Sequence, residues 1–239
     1  MSPLNLLVLN VLKTFALFIP YFTILIWFYF KRDSFFLKNR IEIQFNLIIS
    51  FLITAFIQIA IWNLLSLFKQ ESFLGFTPSS SNSNTDSSPI LVLLGILAGV
   101  IGWLYNSRYN GITARRNHSI QALISSRLST EYIQNSNRVS HISNKYSTLN
   151  PSFKNKMDIS YFEALPTEDQ KSIHYMLNFL EFIAVGIRFG DLDEALMKNT
   201  LSSILKNNFL LFEDIIKKYQ QKNTHTFEHL THLYNRWHC

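Results

Sequence analysis

Three stretches within the first 105 residues carry almost no charge, and such stretches leave a chain few ways to fold in water. Residues 14–30, TFALFIPYFTILIWFYF, hold no Asp, Glu, Lys or Arg over about 17 positions, near the lower limit for crossing a hydrocarbon core about 30 Å thick. Extended to 11–30, the segment spans. Lys13 then lies near the outer interface with its stem snorkelling, and Pro20 kinks the helix rather than ending it. The second run, 43–68, is interrupted by Asn46, Gln58 and Asn63. No ionisable residue accompanies these amides, so they read as bonds between neighbouring helices rather than as a substrate path. In the third run, 89–105, Gly95 and Gly99 form a G-x-x-x-G pair, and Ala98 with Gly102 repeats the small spacing. Such glycines let two helix backbones approach, either in self-association or against the first two spans.

Charge sets the orientation. Only 16% of residues are charged against a usual quarter or so, which itself points to a membrane region. Of basic residues, the first connection holds Lys31, Arg32, Lys38 and Arg40, whereas the Ser/Asn-rich loop 69–88 holds only Lys69. By the positive-inside rule the first loop faces the cytoplasm, the N-terminus and the 69–88 loop lie outside, and everything from 106 to 239 lies inside. A secretory signal peptide would be followed by small residues at a cleavage site; KRDSFF follows here. The expected setting is a bacterial inner membrane. The lone cysteine, Cys239, rules out an intrachain disulfide.

Residues 106–239 predict an all-α cytoplasmic bundle, because apolar positions recur at three and four. Ile120, Leu123, Ile124, Leu128 and Tyr132 make one stripe, and Val139, Ile142, Tyr146 and Leu149 continue it until Pro151 breaks it. Asn110–Gly111 is a candidate bend, and a continuous stalk from the third span is the alternative. Thr167 with Gln170 fits a capping box opening a helix to about 188. Gly190 suits a left-handed C-cap, and Asp191 with Glu194 fits a second box opening a helix over 192–219. A final helix places Phe227, Leu230, Leu233, Tyr234 and Trp237 on one side.

The stretch LNFLEFIAVGIRFGDLDEAL, 177–196, is apolar nearly all round but holds Glu181 and Arg188. A charge at a bilayer centre costs at least about 2.5–3.5 kcal/mol, so this is no fourth span. It reads as the central helix of the bundle, with Glu181 and Arg188 as buried polar structural groups. Glu181 then needs a buried arginine, a hydroxyl or orphan backbone donors beside it. Arg188 shares its face but lies about 10 Å along the axis.

No catalytic motif emerges, and no cofactor is implied. His225, His229 and His232 with Glu228 sit near metal-ligand spacing, but the zincin order His-Glu-x-x-His is absent, and the histidines face away from the apolar stripe. No Arg precedes a His at the spacing helical nucleases use, and neither a phosphate-cradling glycine loop nor a nucleophile elbow occurs. From Arg108 to Lys156 the chain is basic (Arg108, Arg115, Arg116, Arg127, Arg138, Lys145, Lys154, Lys156) with one acid, Glu131. That collar, with Arg108, Arg115 and Arg116 nearest the membrane, suits anionic lipid headgroups. Nucleic acid is the disfavoured alternative, for want of an aromatic stacking platform.

At ARRNHSIQALISSRLS, NFLEFIAVGIRFGDLDEAL and FEHLTHLYNRW the chain resembles a broad bacterial family of uncharacterised membrane-tethered helical domains, often cargo of mobile elements. The matching positions are Arg115, Arg116, Asn178, Glu181, Gly186, Gly190 and Asp193. A looser likeness runs to the small membrane accessory protein of some type VI CRISPR loci, although three spans depart from the usual one. No established activity comes with that family; the absent motifs, the Gly95/Gly99 pair and the likeness together lead to the expectation of a non-enzymatic, oligomeric accessory or membrane effector in antiphage defence, with an unknown protein partner. The alternatives are a tethered nucleic-acid-binding or nuclease module and, disfavoured by the missing intramembrane charges, a small transporter.

Overall fold

The structure, a computed structural model, describes residues 3–38, 40–67, 88–149 and 156–238. The expected outer loop lies outside them except for Ser88, as do Pro151, Lys154, Cys239 and the side chains of Lys13 and Asn63. Every regular element among the described residues is an α-helix. The chain divides into two compact units: Met1–Asp33 with Asn39–Gly111, and Ser34–Lys38 with Ile112–Cys239.

The first unit holds α1 (Pro3–Phe30), α2 (Ile41–Leu67) and the beginning of α3 (Ser88–Arg127). Helix α1 runs through Pro20. One turn before that proline, the Leu17 carbonyl accepts from Gln58 Nε2 (3.0 Å), while Gln58 Oε1 accepts from the Tyr21 hydroxyl (3.0 Å). The amide of α2 thus binds α1 at two points, as a polar group in an apolar pair of helices should. Among the described residues, Glu42–Ile61 is long and apolar enough to cross a membrane, and Thr14–Phe30 is a shorter apolar helix. The third expected run, 89–105, is not among the stretches of the described residues that meet this test. Helix α3 continues through Asn110–Gly111 without a break, as a single glycine costs a helix only about 1 kcal/mol.

In the second unit α3 ends at Arg127, and α4 (Thr130–Leu149) begins after a two-residue break. Ser129 makes that break: its hydroxyl accepts from the Tyr132 amide (3.1 Å), capping the new helix. The stripe expected to run unbroken through Leu128 is therefore divided, with Leu123 and Tyr132 buried while Ile120, Ile124 and Leu128 stay exposed. Along α4, Tyr132, Val139, Ile142 and Tyr146 share one buried face. A short α5 (Ile159–Ala164) follows, then α6 (Thr167–Arg188), α7 (Glu194–Leu211), α8 (Glu213–Lys222) and α9 (Glu228–His238).

Helix α6 is the core of this unit. It packs on α4, α7 and α9, and Ile173, Leu177, Leu180, Ala184 and Ile187 are fully buried. Each such Leu or Ile contributes about 1.5–3 kcal/mol of transfer free energy. Two expected capping boxes are corrected. Pro166, not Thr167, is the N-cap of α6, and the Gln170 side chain donates to the Leu165 carbonyl (2.9 Å). Asp193, not Asp191, caps α7, its carboxylate accepting from Leu196 N–H (3.0 Å). The single helix expected over 192–219 is two, bent at Phe212, a fully buried residue that ends α7 and starts α8.

Candidate functional site

Two joints in the second unit gather the polar residues singled out from sequence. At the first, α6 turns into α7. Gly190 has φ +77°, a conformation only glycine adopts cheaply, and the Gly186 carbonyl accepts from both Asp191 N–H and Leu192 N–H. Gly186 is required for a second reason: a Cβ there would lie 2.6 Å from Leu192 Cδ1, and Leu192 is buried against the turn. Three residues past Gly190, Asp193 caps α7. Its own N–H donates to Ser119 Oγ (2.8 Å), and its carboxylate faces Arg116 (3.5 Å). Burial pushes the Asp193 carboxyl up, but the Leu196 amide and the charges of Arg115 and Arg116 outweigh it and hold the group below the usual range. The Gly-x-x-x-Gly-x-x-Asp spacing is thus the signature of a tight helix–turn–helix corner pinned to α3.

At the second joint, α6 holds α9 by Glu181 and Arg188. The α9 N-cap position is Phe227, buried and at φ +55°, and a phenyl ring offers no acceptor to the orphan amides of the first turn. Glu181 supplies it from α6, accepting from His229 N–H (3.2 Å) and Leu230 N–H (2.6 Å). Burial raises the Glu181 carboxyl above its ordinary value, and the two amides hold that rise back. Arg188, buried, does not pair with Glu181. Its Nη1 meets His229 Nδ1 (2.8 Å) and lies 3.6 Å from Glu228. A guanidinium only donates, so Nδ1 of His229 is the unprotonated nitrogen.

The segment Ser34–Lys38 completes this joint. Arg188 Nε donates to the Phe35 carbonyl (3.3 Å), and Leu37 N–H donates to the Arg188 carbonyl (2.8 Å), one of the orphan acceptors at the end of α6. The Arg236 guanidinium, in the last turn of α9, lies 4.4 Å from the centre of the Phe35 ring and 5.2 Å from that of Phe36. Phe36 itself is buried. Arg236 also forks onto Glu194, the first residue of α7 (2.6 and 3.2 Å), which Trp237 Nε1 joins at 3.3 Å. Phe35, Phe36, Ser119 and Arg236 escaped the reading of the sequence. A paired aromatic between basic residues in an otherwise polar loop was the signal for the first two.

The remaining residues do not converge. His225 and His232 are exposed and flank Glu228 (2.9 and 3.9 Å). Among the described residues no group of three or more His, Cys, Asp or Glu is placed to hold a metal. A Cβ at Gly95, Gly99 or Gly102 would meet nothing within 4 Å, so among the described residues no close approach within the chain requires these glycines. Arg108 lies in the first unit; Arg115 and Arg116 lie in the second, beside Asp193. Asn178 is exposed. A cleft of about 570 Å³ opens between α4 and α7 over Met176, rimmed by Ser136, Ser140, Asn144 and Asn207, with Arg127 at its margin.

Residues 93–237 match the profile of a domain of unknown function, DUF4760. No curated protein and no solved structure matches the chain.

Proposed function

Given that the chain belongs to the DUF4760 family, we propose that it is a non-enzymatic, membrane-anchored module. Its three apolar helices cross a bacterial inner membrane, and its DUF4760 bundle is held on the cytoplasmic side. The observation that carries this reading is the membership of Ser34–Lys38 in the bundle unit. The loop between α1 and α2 then shares a compartment with the bundle. If α2 crosses a bilayer, it leaves that compartment, and α3 must cross back to deliver residues from Ile112 onward. Three crossings with the N-terminus outside follow, the same topology that the Lys31, Arg32, Lys38 and Arg40 cluster demands by charge.

Other observations support the anchored reading. Phe15, Ile19, Phe22, Ile26, Ile57 and Ile96 are each at least half exposed, an uncovered apolar surface of a kind soluble monomers rarely carry. Trp27 stands near the end of α1 with Lys31 over its ring at 4.5 Å, and Trp103 and Tyr105 are exposed near the end of the third run. Aromatic residues with cations belong at the membrane interface. Arg108, Arg115 and Arg116 then face anionic headgroups. The open side of Gly95, Gly99 and Gly102 is offered to a second copy, giving the homo-oligomer expected of a membrane effector. The antiphage setting, with its unidentified protein partner, follows from the family resemblance alone, and phage plating on cells with and without the gene tests it.

Topology is tested by labelling single cysteines, Ser83→Cys and Asn223→Cys in a Cys239→Ser background, with a membrane-impermeant maleimide. We expect Ser83→Cys to react in spheroplasts and Asn223→Cys only after permeabilisation. The reverse pattern, or purification of the chain from lysate without detergent, overturns the reading.

A further inference from the structure

We propose that Ser34–Lys38 is a mechanical strap through which movement of the α1–α2 pair sets the stability of α9. The proposal takes its input, a moving membrane pair, from the anchored reading; its contacts stand without it.

The segment is short, and both of its ends continue into the first unit, into α1 before it and α2 after it. Whatever tilts or separates these two helices pulls on it directly. Phe36 sits in the bundle's core, and the segment's polar and aromatic contacts include two residues that also position α9. Arg188 bonds the Phe35 carbonyl and the His229 ring, so one guanidinium ties the strap to the first turn of α9. Arg236 covers the Phe35 and Phe36 rings while forking onto Glu194, so one guanidinium ties the strap to the last turn of α9 and the start of α7. The Leu37 amide meanwhile occupies the Arg188 carbonyl. Withdrawing the strap uncovers Phe36, removes the aromatic faces that hold Arg236 against Glu194, and frees Arg188 to leave His229.

Helix α9 is the element such a loss selects. Its N-cap residue is in a disfavoured conformation and offers no capping oxygen, so its first turn depends on α6 through Glu181 and Arg188. The middle of α6 and the α4 face are held instead by buried aliphatic and aromatic side chains. The strap therefore sets a local opening of α9 without unfolding the unit, the graded stability that switching elements require.

Hydrogen exchange of the full chain, in micelles and in nanodiscs of short-chain and long-chain phosphatidylcholine, tests this. Phe35→Ala/Phe36→Ala should speed exchange in 228–238 by about tenfold or more, the sum expected of a lost aromatic–guanidinium cluster, leaving 173–187 unchanged. Arg236→Lys keeps the charge for Glu194 but loses the planar stack and should reproduce part of the effect while folding normally. In nanodiscs, wild-type α9 exchange should change with bilayer thickness and the double-alanine variant's should not. Unchanged α9 exchange in both variants in micelles overturns the strap. A micelle effect with no dependence on bilayer thickness overturns the transmission from α1–α2. Failure of the chain to enter nanodiscs overturns the anchored reading and leaves the micelle result standing.

Discussion

Replacing Glu181 by alanine removes the acceptor of two amides at the start of α9. Their fates differ. The Leu230 amide belongs to a residue with no exposed surface and donates at 2.6 Å, whereas His229 is only half-buried and donates at 3.2 Å. Water can replace the carboxylate at His229. At Leu230 it cannot, and a buried amide without an acceptor costs about 1–3 kcal/mol. Phe227 cannot step in, so the loss resembles deletion of an N-cap, about 0.5–2 kcal/mol. Against this, burial raises the Glu181 carboxyl, and removing a half-desolvated charge returns part of the cost. The net is about 2 kcal/mol, which is about thirtyfold faster exchange of α9 amides and, for a domain of this size, about 8 °C in Tm. Hydrogen exchange followed by mass spectrometry on the full chain in micelles resolves 225–238 from the rest. Glu181→Gln should fall between, because one oxygen remains for Leu230 while an NH2 group meets the His229 amide. If Glu181→Ala stays folded and α9 exchanges at the wild-type rate, the carboxylate is not the cap and the account of this joint is wrong.

Three further outcomes follow from the second unit. Gly190→Ala must place a Cβ at φ +77° and should cost about 1–2 kcal/mol, with Gly190→Asn milder, read as a shift in Tm. Gly186→Ala forces the Leu192 side chain from its seat at about 1–3 kcal/mol; in a double-mutant cycle with Leu192→Ala the two losses should fall short of additive, and strict additivity would place the clash elsewhere. His174 donates or accepts with the Tyr219 hydroxyl (2.9 Å), and burial holds its ring below the ordinary 6.5. A depressed histidine stabilises the fold fully above that ordinary value, and the contribution is lost as pH falls through the folded one. Stability should thus decline on acidification from about pH 6.5, and His174→Gln should flatten that decline in urea titrations.

What could be read beforehand divides by the range of the interaction responsible. Periodicity reports which face of a helix meets a core, so the apolar side of α9 and the central place of α6 were legible from Leu230, Leu233 and Trp237 and from the run around Glu181. Gly190 was legible for a local reason too, since one residue's φ decides it. The capping boxes misled because capping is a contest between neighbouring residues of similar ability. Asp191, Asp193 and Thr167 all qualify chemically, and the winner at α7 is decided by Ser119, 74 positions away, which receives the Asp193 amide. Ser129 broke a stripe that apolar spacing alone carried straight through, because a hydroxyl three residues before an amide competes with the helix at a cost that periodicity does not register.

The partners of Glu181 and Arg188 lie further still from what local pattern can report. Both residues were marked by their chemistry as needing company, but the company is a backbone turn of α9 and a loop 153 positions earlier in the chain. In sequence, that loop stands out by its charge. Its two phenylalanines belong to the bundle's core while its ends continue into α1 and α2, so a single five-residue segment is constrained by different parts of the chain. A segment under two such constraints cannot follow one without straining against the other. This is why the proposed coupling between α1–α2 and α9, rather than any isolated side chain, is the property most worth measuring.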